Sequence, residues 1–206
     1  MDGQRFGARS DRSEAAFQRG RELLAAGDRD GAEEQFAAAA ELDAVDMPWR
    51  ITQAYLEAFD ARAAVWMRRA AASLSRPGGI TVDPGTLPIT TVRGEGHEHL
   101  SGQVWGVALT HCDPRAGAAA LRAAHPSIGH ATRDGRVPPE SEVPLAPYYA
   151  NSSRIDEAKL EVRLDAKDQV MPMLARVVLT VLVEELERAG AARARLHTPR
   201  SAWPLY

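Results

Sequence analysis

Apolar residues recur every three or four positions in the first part of the chain and every second position later on. Helices should therefore come first and a sheet afterwards. Ser13 can cap a helix through Ala15, Phe17, Gly20, Leu23 and Leu24, which Gly27-Asp28 then stops. A second helix follows from about residue 29 to 42, with Ala32, Phe36, Ala39 and Ala40 at helical spacing. Residues 47–76 read as one long helix. Asp46 caps it, Pro48 falls in its first turn, and Ile51, Tyr55, Leu56, Phe59, Ala63 and Trp66 form its apolar stripe. Pro77-Gly78-Gly79 ends it. The first dozen residues are polar, lack an apolar face, and are expected to be a flexible N-terminus, 1–12.

The pattern changes near residue 80. Residues 80–88 carry prolines and a glycine and read as a linker, so the expected division is a helical segment at 13–79 and an α+β domain at 80–206. Residues 89–93 and 97–100 suggest extended chain, and 103–111 a strand with Trp105, Val107 and Leu109 on one side. Asp113-Pro114 starts an alanine-rich helix that should end at His125-Pro126. Residues 127–133 suggest a strand before the Asp134-Gly135 turn, and 137–154, with four prolines, a long loop. In 158–165, Leu160, Val162 and Leu164 alternate with Lys159, Glu161 and Arg163, the signature of a strand buried on one face. A long apolar helix from Asp168 to Ala189 and a last strand at 192–197 complete the series. The fold class is thus α+β. The order β-α-β-β-α-β fits a ferredoxin-like split sandwich, with both helices on one sheet face.

The helical segment also resembles a known family. Gly20, Leu23, Gly27, Ala32, Phe36, Ala39 and the pair Leu42-Asp43 are similar to one tetratricopeptide repeat. That resemblance implies a helical hairpin closed by small residues and filled by the phenylalanine. About 34 residues on, Ala54 suits a second copy but Trp66 stands where a small residue belongs. The segment is therefore read as a three-helix unit with one repeat-like hairpin. A lone repeat needs cover from a partner domain or another subunit.

Composition narrows the class. Hydrophobic residues make up 45% and charged residues 26%, as in ordinary globular proteins. A net charge of −3 argues against a nucleic-acid module, which needs clustered positive charge. Arginine-rich, alanine-rich usage points to a GC-rich bacterial genome. One cysteine, Cys112, excludes an intramolecular disulfide. The N-terminus has no apolar signal region, and the apolar run 170–183 is too short to span a bilayer. A cytoplasmic location without membrane partners is expected.

Candidate chemistry is sparse. His97 and His99 lie two apart, on one side of an extended strand, and His111 could join them from the next strand. Three imidazoles with an open position suit a divalent metal such as zinc, with Glu95 or Glu98 as base. The plainer reading is a polar hairpin tip, with Glu95, Glu98 and Asp113 exposed. Cys112 is flanked by His111, but strand neighbours point to opposite faces, so a buried structural thiol is expected. Tyr148 and Tyr149 close the proline-rich loop and could pin it or meet a ligand or partner. The leading expectation is a protein-interaction, adaptor or assembly module that binds a protein partner or itself. The alternative is a metal-dependent enzyme acting on a small molecule through His97, His99 and His111.

Overall fold

A computed structural model describes residues 2–58, 60–83, 103–131, 153–166 and 171–197. The protein is mixed helix and sheet, and the described residues fall into two compact units, 2–73 and 74–197.

The first unit is helical. It comprises α1 (Asp2–Ala25), α2 (Arg29–Leu42), α3 (Met47–Glu57) and α4 (Arg62–Ala72). The α1–α2 turn forms as the residues dictate. Gly27 takes φ 85°, and the Asp28 N–H donates back to the Leu23 carbonyl at 2.9 Å, closing the end of α1. The Asp28 carboxylate then accepts the Gly31 N–H at 3.0 Å and caps α2. Phe36 is fully buried at the centre, its ring 5.7 Å from Phe17 and 5.3 Å, edge-on, from Tyr55.

Two expectations for this unit need correction. α1 begins at Asp2, well before the place where the sequence pattern started a helix. Ser13 therefore caps nothing; its hydroxyl is buried and donates to the Ala39 carbonyl at 2.9 Å, tying α1 to α2. Residues 47–76 are not one helix but two, so the unit has four helices instead of three. Asp60 makes the break: its N–H donates to the Tyr55 carbonyl at 2.9 Å and its carboxylate accepts the Arg62 N–H at 2.9 Å. The reason is spatial. Tyr55 and Trp66 both donate to one oxygen of Glu33, at 2.7 and 3.0 Å. In one straight helix those side chains would stand about 16 Å apart along the axis.

The second unit holds β1 (Ile80–Asp83), β2 (Gln103–Thr110), α5 (Pro114–Ala131), β3 (Ser153–Asp156), β4 (Glu161–Ala166), α6 (Met171–Arg188) and β5 (Ala194–His197). The strands form one sheet in the order β1-β5-β2-β4-β3. β1 runs parallel to β5, and every other neighbouring pair is antiparallel. Ile80, Val82, Val107, Leu109, Val162, Ala194 and Leu196 are buried on one side of the sheet. Leu121, Ala124 and Ile128 of α5 and Val178, Leu182 and Leu186 of α6 supply the helical half of this core.

Here too the pattern misled at particular residues. Of the strand expected at 127–133, residues 127–131 are instead the end of α5, which continues through Pro126 to Ala131. Proline costs the helix one hydrogen bond, but beyond it Ile128 is buried and the Ser127 hydroxyl donates to Glu185 of α6 at 3.1 Å. β3 takes the place of that strand. Residues 157–160 form a turn, so the alternation seen at 158–165 becomes strand only from Glu161. Residues 80–83, expected as linker, form β1, because Ile80 and Val82 find a buried place beside β5. The extended segments expected at 89–93 and 97–100 lie outside the described residues. No described helix is long and apolar enough to cross a membrane.

Candidate functional site

The second face of the sheet is polar, and strand register places its residues. Asp83 stands opposite His197, His197 opposite Ala108, Ala108 opposite Glu161, and Glu161 opposite Asp156. One row to one side, Thr81, Arg195 and Thr110 are neighbours; one row to the other side lie Gly106, Arg163 and Arg154. The small residues Gly106 and Ala108 sit on the central strand. They form a low floor between charged flanks.

The β1–β5 flank is the most tightly organised. The Arg195 guanidinium bonds the Asp83 carboxylate, and the Thr110 hydroxyl donates to the Arg195 carbonyl at 3.4 Å. His197 Nδ1 lies 3.8 Å from the Asp83 carboxylate, beyond hydrogen-bond reach. That nitrogen is buried and makes no hydrogen bond among the described residues, although the side chain as a whole is 40% exposed. Asp83 therefore orients Arg195 and does not orient His197, so the trio is not a base held by a carboxylate. The face can offer donors, acceptors and ion pairs to a flat polar surface.

The helical unit has polar clusters of its own. The Arg50 guanidinium grips Glu14 with two bonds, 2.5 and 3.1 Å, and stacks 4.2 Å over the Phe17 ring. That hydrogen bond holds the Glu14 carboxyl below the usual carboxylate range. Burial, reinforced by the Glu33 carboxylate, pushes the Tyr55 hydroxyl well above the usual tyrosine range. Arg62 bonds Asp30 at 2.9 Å, and Arg29 pairs with the nearly buried Asp60 at 3.2 Å. These contacts join α1 to α3 and α2 to α3 and α4, and read as fasteners between helices.

Of the residues singled out by sequence, Glu95, Glu98, His97, His99, Tyr148 and Tyr149 lie outside the described residues. His111 is exposed, in the turn after β2, at φ 54°. The Asp113 carboxylate caps α5, accepting the Arg115 and Ala116 N–H groups at 3.0 and 2.9 Å. Cys112 is half-buried against the first turn of α5, and burial, then the Asp113 charge, pushes its thiol up. Among the described residues it has no activating partner of the kind a nucleophile needs. Among the described residues no group of three or more His, Cys, Asp or Glu side chains could hold a metal ion.

Sequence reasoning missed Asp83, Arg195 and His197. Thr81-Val82-Asp83 and Ala194–His197 each alternate, which is the local signal. Their meeting is not local, since Asp83 and Arg195 are 112 positions apart.

No protein-family model, curated protein or solved structure matches this chain.

Proposed function

We propose that the chain is a protein-interaction module, an adaptor or assembly component of a bacterial cytosolic system. Its helical part, 13–79 as read from sequence, is taken as tetratricopeptide-like, and its second part, 80–206, as a ferredoxin-like βαββαβ domain with one added edge strand. The order β5-β2-β4-β3, antiparallel throughout, with helices after β2 and β4, supports that second assignment.

One observation carries the functional reading. A second helical hairpin, α3–α4, is fastened onto the first by the Phe36–Tyr55 ring contact and by Glu33. Stacked hairpins of this kind make extended surfaces for other chains. The polar sheet face, flat and of mixed charge, suits the same use better than it suits engulfing a small molecule.

The alternative, a metal-dependent enzyme using His97, His99 and His111, rests on sequence spacing. Only His111 is described, and among the described residues no group of three or more candidate ligands includes it.

Affinity capture from extract, with the wild type and a variant carrying Arg19→Glu, Arg21→Glu and Arg68→Glu, tests the proposal. These side chains are exposed on the helical unit. The reading expects a partner that the wild type retains and the variant loses, at unchanged helical circular dichroism. Retention by both, or by neither, overturns it.

A further inference from the structure

β3 is an edge strand. β4 pairs with one side of it, and among the described residues no strand pairs with the other. An unpaired edge is a template for another chain, and proteins blunt such edges with proline, lysine or bulges. The β3 sequence, Ser153-Arg154-Ile155-Asp156, contains neither proline nor lysine. It pairs with β4 in unbroken register from Ser153 to Asp156.

The charge pattern of this strand is complementary to itself. Arg154 and Asp156 are two apart and so share the polar face, while half-buried Ile155 points the other way. We propose that two copies of this chain associate antiparallel through β3, with Arg154 of each opposite Asp156 of the other and the two Ile155 residues facing across the dyad. This goes beyond the partner-binding reading, which is carried by the helical unit and does not involve the edge of β3.

Charge selects that register over its competitors. Sliding one strand by two residues sets Arg154 against its own copy in one direction and Asp156 against its own copy in the other. A parallel, in-register pairing does both. A slide by one residue puts Arg154 beside Ile155 and mismatches the faces. Only the proposed register makes two opposite-charge pairs. One feature of the single chain supplies the anion. Asp156 is held below the usual carboxylate range, chiefly by the Lys159 N–H at 3.1 Å, and its other oxygen lies 3.3 Å from the exposed Lys159 ammonium, with which Arg154 of the second copy would compete. The strand is short, so the association should be weak, well below the affinity of a standard-size interface.

Sedimentation velocity of the full chain over a concentration series is the test. The wild type is expected to move from monomer to dimer across that series. Arg154→Glu should lower the dimer population at least tenfold at equal concentration. Mixing Arg154→Glu with Asp156→Arg should restore a dimer that neither forms alone. Asp156 also supports the turn to Lys159, so a second measurement does not depend on it. In a Cys112→Ser background, Ile155→Cys should form a disulfide-linked dimer on mild oxidation, and Glu157→Cys should do so far less. A wild type that stays monomeric, a dimer indifferent to Arg154→Glu, or equal cross-linking from both cysteine positions overturns the proposal. The first and second of these outcomes leave the helical unit's partner untouched, so the two readings fail separately.

Discussion

The Phe36 ring lies so close to Gly20 that a Cβ there would stand 2.6 Å from both Cδ1 and Cε1. Glycine inside a helix ordinarily costs about 0.5–1 kcal/mol relative to alanine. Here the sign should reverse. Phe36 is fully buried between Phe17 and Tyr55 and has no room to retreat. Gly20→Ala is expected to destabilise the fold by about 1–3 kcal/mol through overpacking. Urea unfolding at constant m-value measures it, and a stabilised variant would refute the packing argument.

Glu33 serves two buried donors with one oxygen, Tyr55 Oη and Trp66 Nε1. Glu33→Ala strands both donors and should cost about 2–4 kcal/mol, since each unsatisfied buried group costs about 1–3 kcal/mol. Tyr55→Phe removes donor and need together and should cost about 1 kcal/mol. A double-mutant cycle should give a coupling energy clearly above zero. Additive effects would mean the two side chains do not share this bond.

The same network sets an alkaline limit. An unfolded tyrosine ionises near about pH 10. In the fold, burial and then Glu33 raise the Tyr55 value, so the neutral hydroxyl is favoured. Above about pH 10 the unfolded state releases this proton and the native state keeps it, so stability falls as pH rises. The urea midpoint of the wild type should decline between about pH 9 and about pH 11, and less steeply for Tyr55→Phe. Equal slopes would remove Tyr55 as the cause.

On the acid side the relevant pair is Arg50 and Glu14. The Arg50 hydrogen bond lowers the Glu14 value, so its contribution is present above the ordinary carboxylate pKa of about 4.3 and is lost as pH falls through the folded value. Glu14 is 44% exposed, which screens the pair. Arg50→Gln should therefore cost about 1 kcal/mol at neutral pH and flatten the acid decline below about pH 5. An unchanged acid slope would count against the pair.

Cys112 should be a slow thiol. Burial and the neighbouring Asp113 charge raise its pKa, so the thiolate is scarce at neutral pH. The alkylation rate with iodoacetamide should have its midpoint above the usual thiol value of about 8.5. Asp113→Asn should move that midpoint down. A midpoint at or below the free-thiol value would revive Cys112 as a reactive residue.

Much of the helical hairpin was legible in the chain, because its determinants are local. Gly27 and Asp28 turn α1 into α2 within a few residues, and Phe36 needs only a facing glycine. The break at Asp60 was not legible, because the stripe from Ile51 to Trp66 keeps helical spacing across it. What splits it is Glu33, on another helix. Pro126 misled for the same kind of reason. Its local cost is real, and the burial of Ile128 and the Ser127–Glu185 bond offset it from outside the segment. Of the polar face, the sequence announced Lys159, Glu161 and Arg163 as its wet side, but not Asp83, Arg195 and His197.

By itself the amino-acid pattern determined the class, mixed helix and sheet, and the turns that depend on a single residue's backbone preference. It determined that Val107, Leu109 and Val162 face inward, because alternation on a strand is a property of the strand. Tertiary structure alone decided where β1 goes, which strand replaces the one expected at 127–133, and which charged residues share a face. Those outcomes depend on which distant segment offers an unfilled hydrogen-bonding edge or an apolar surface, and a linear pattern carries no record of that.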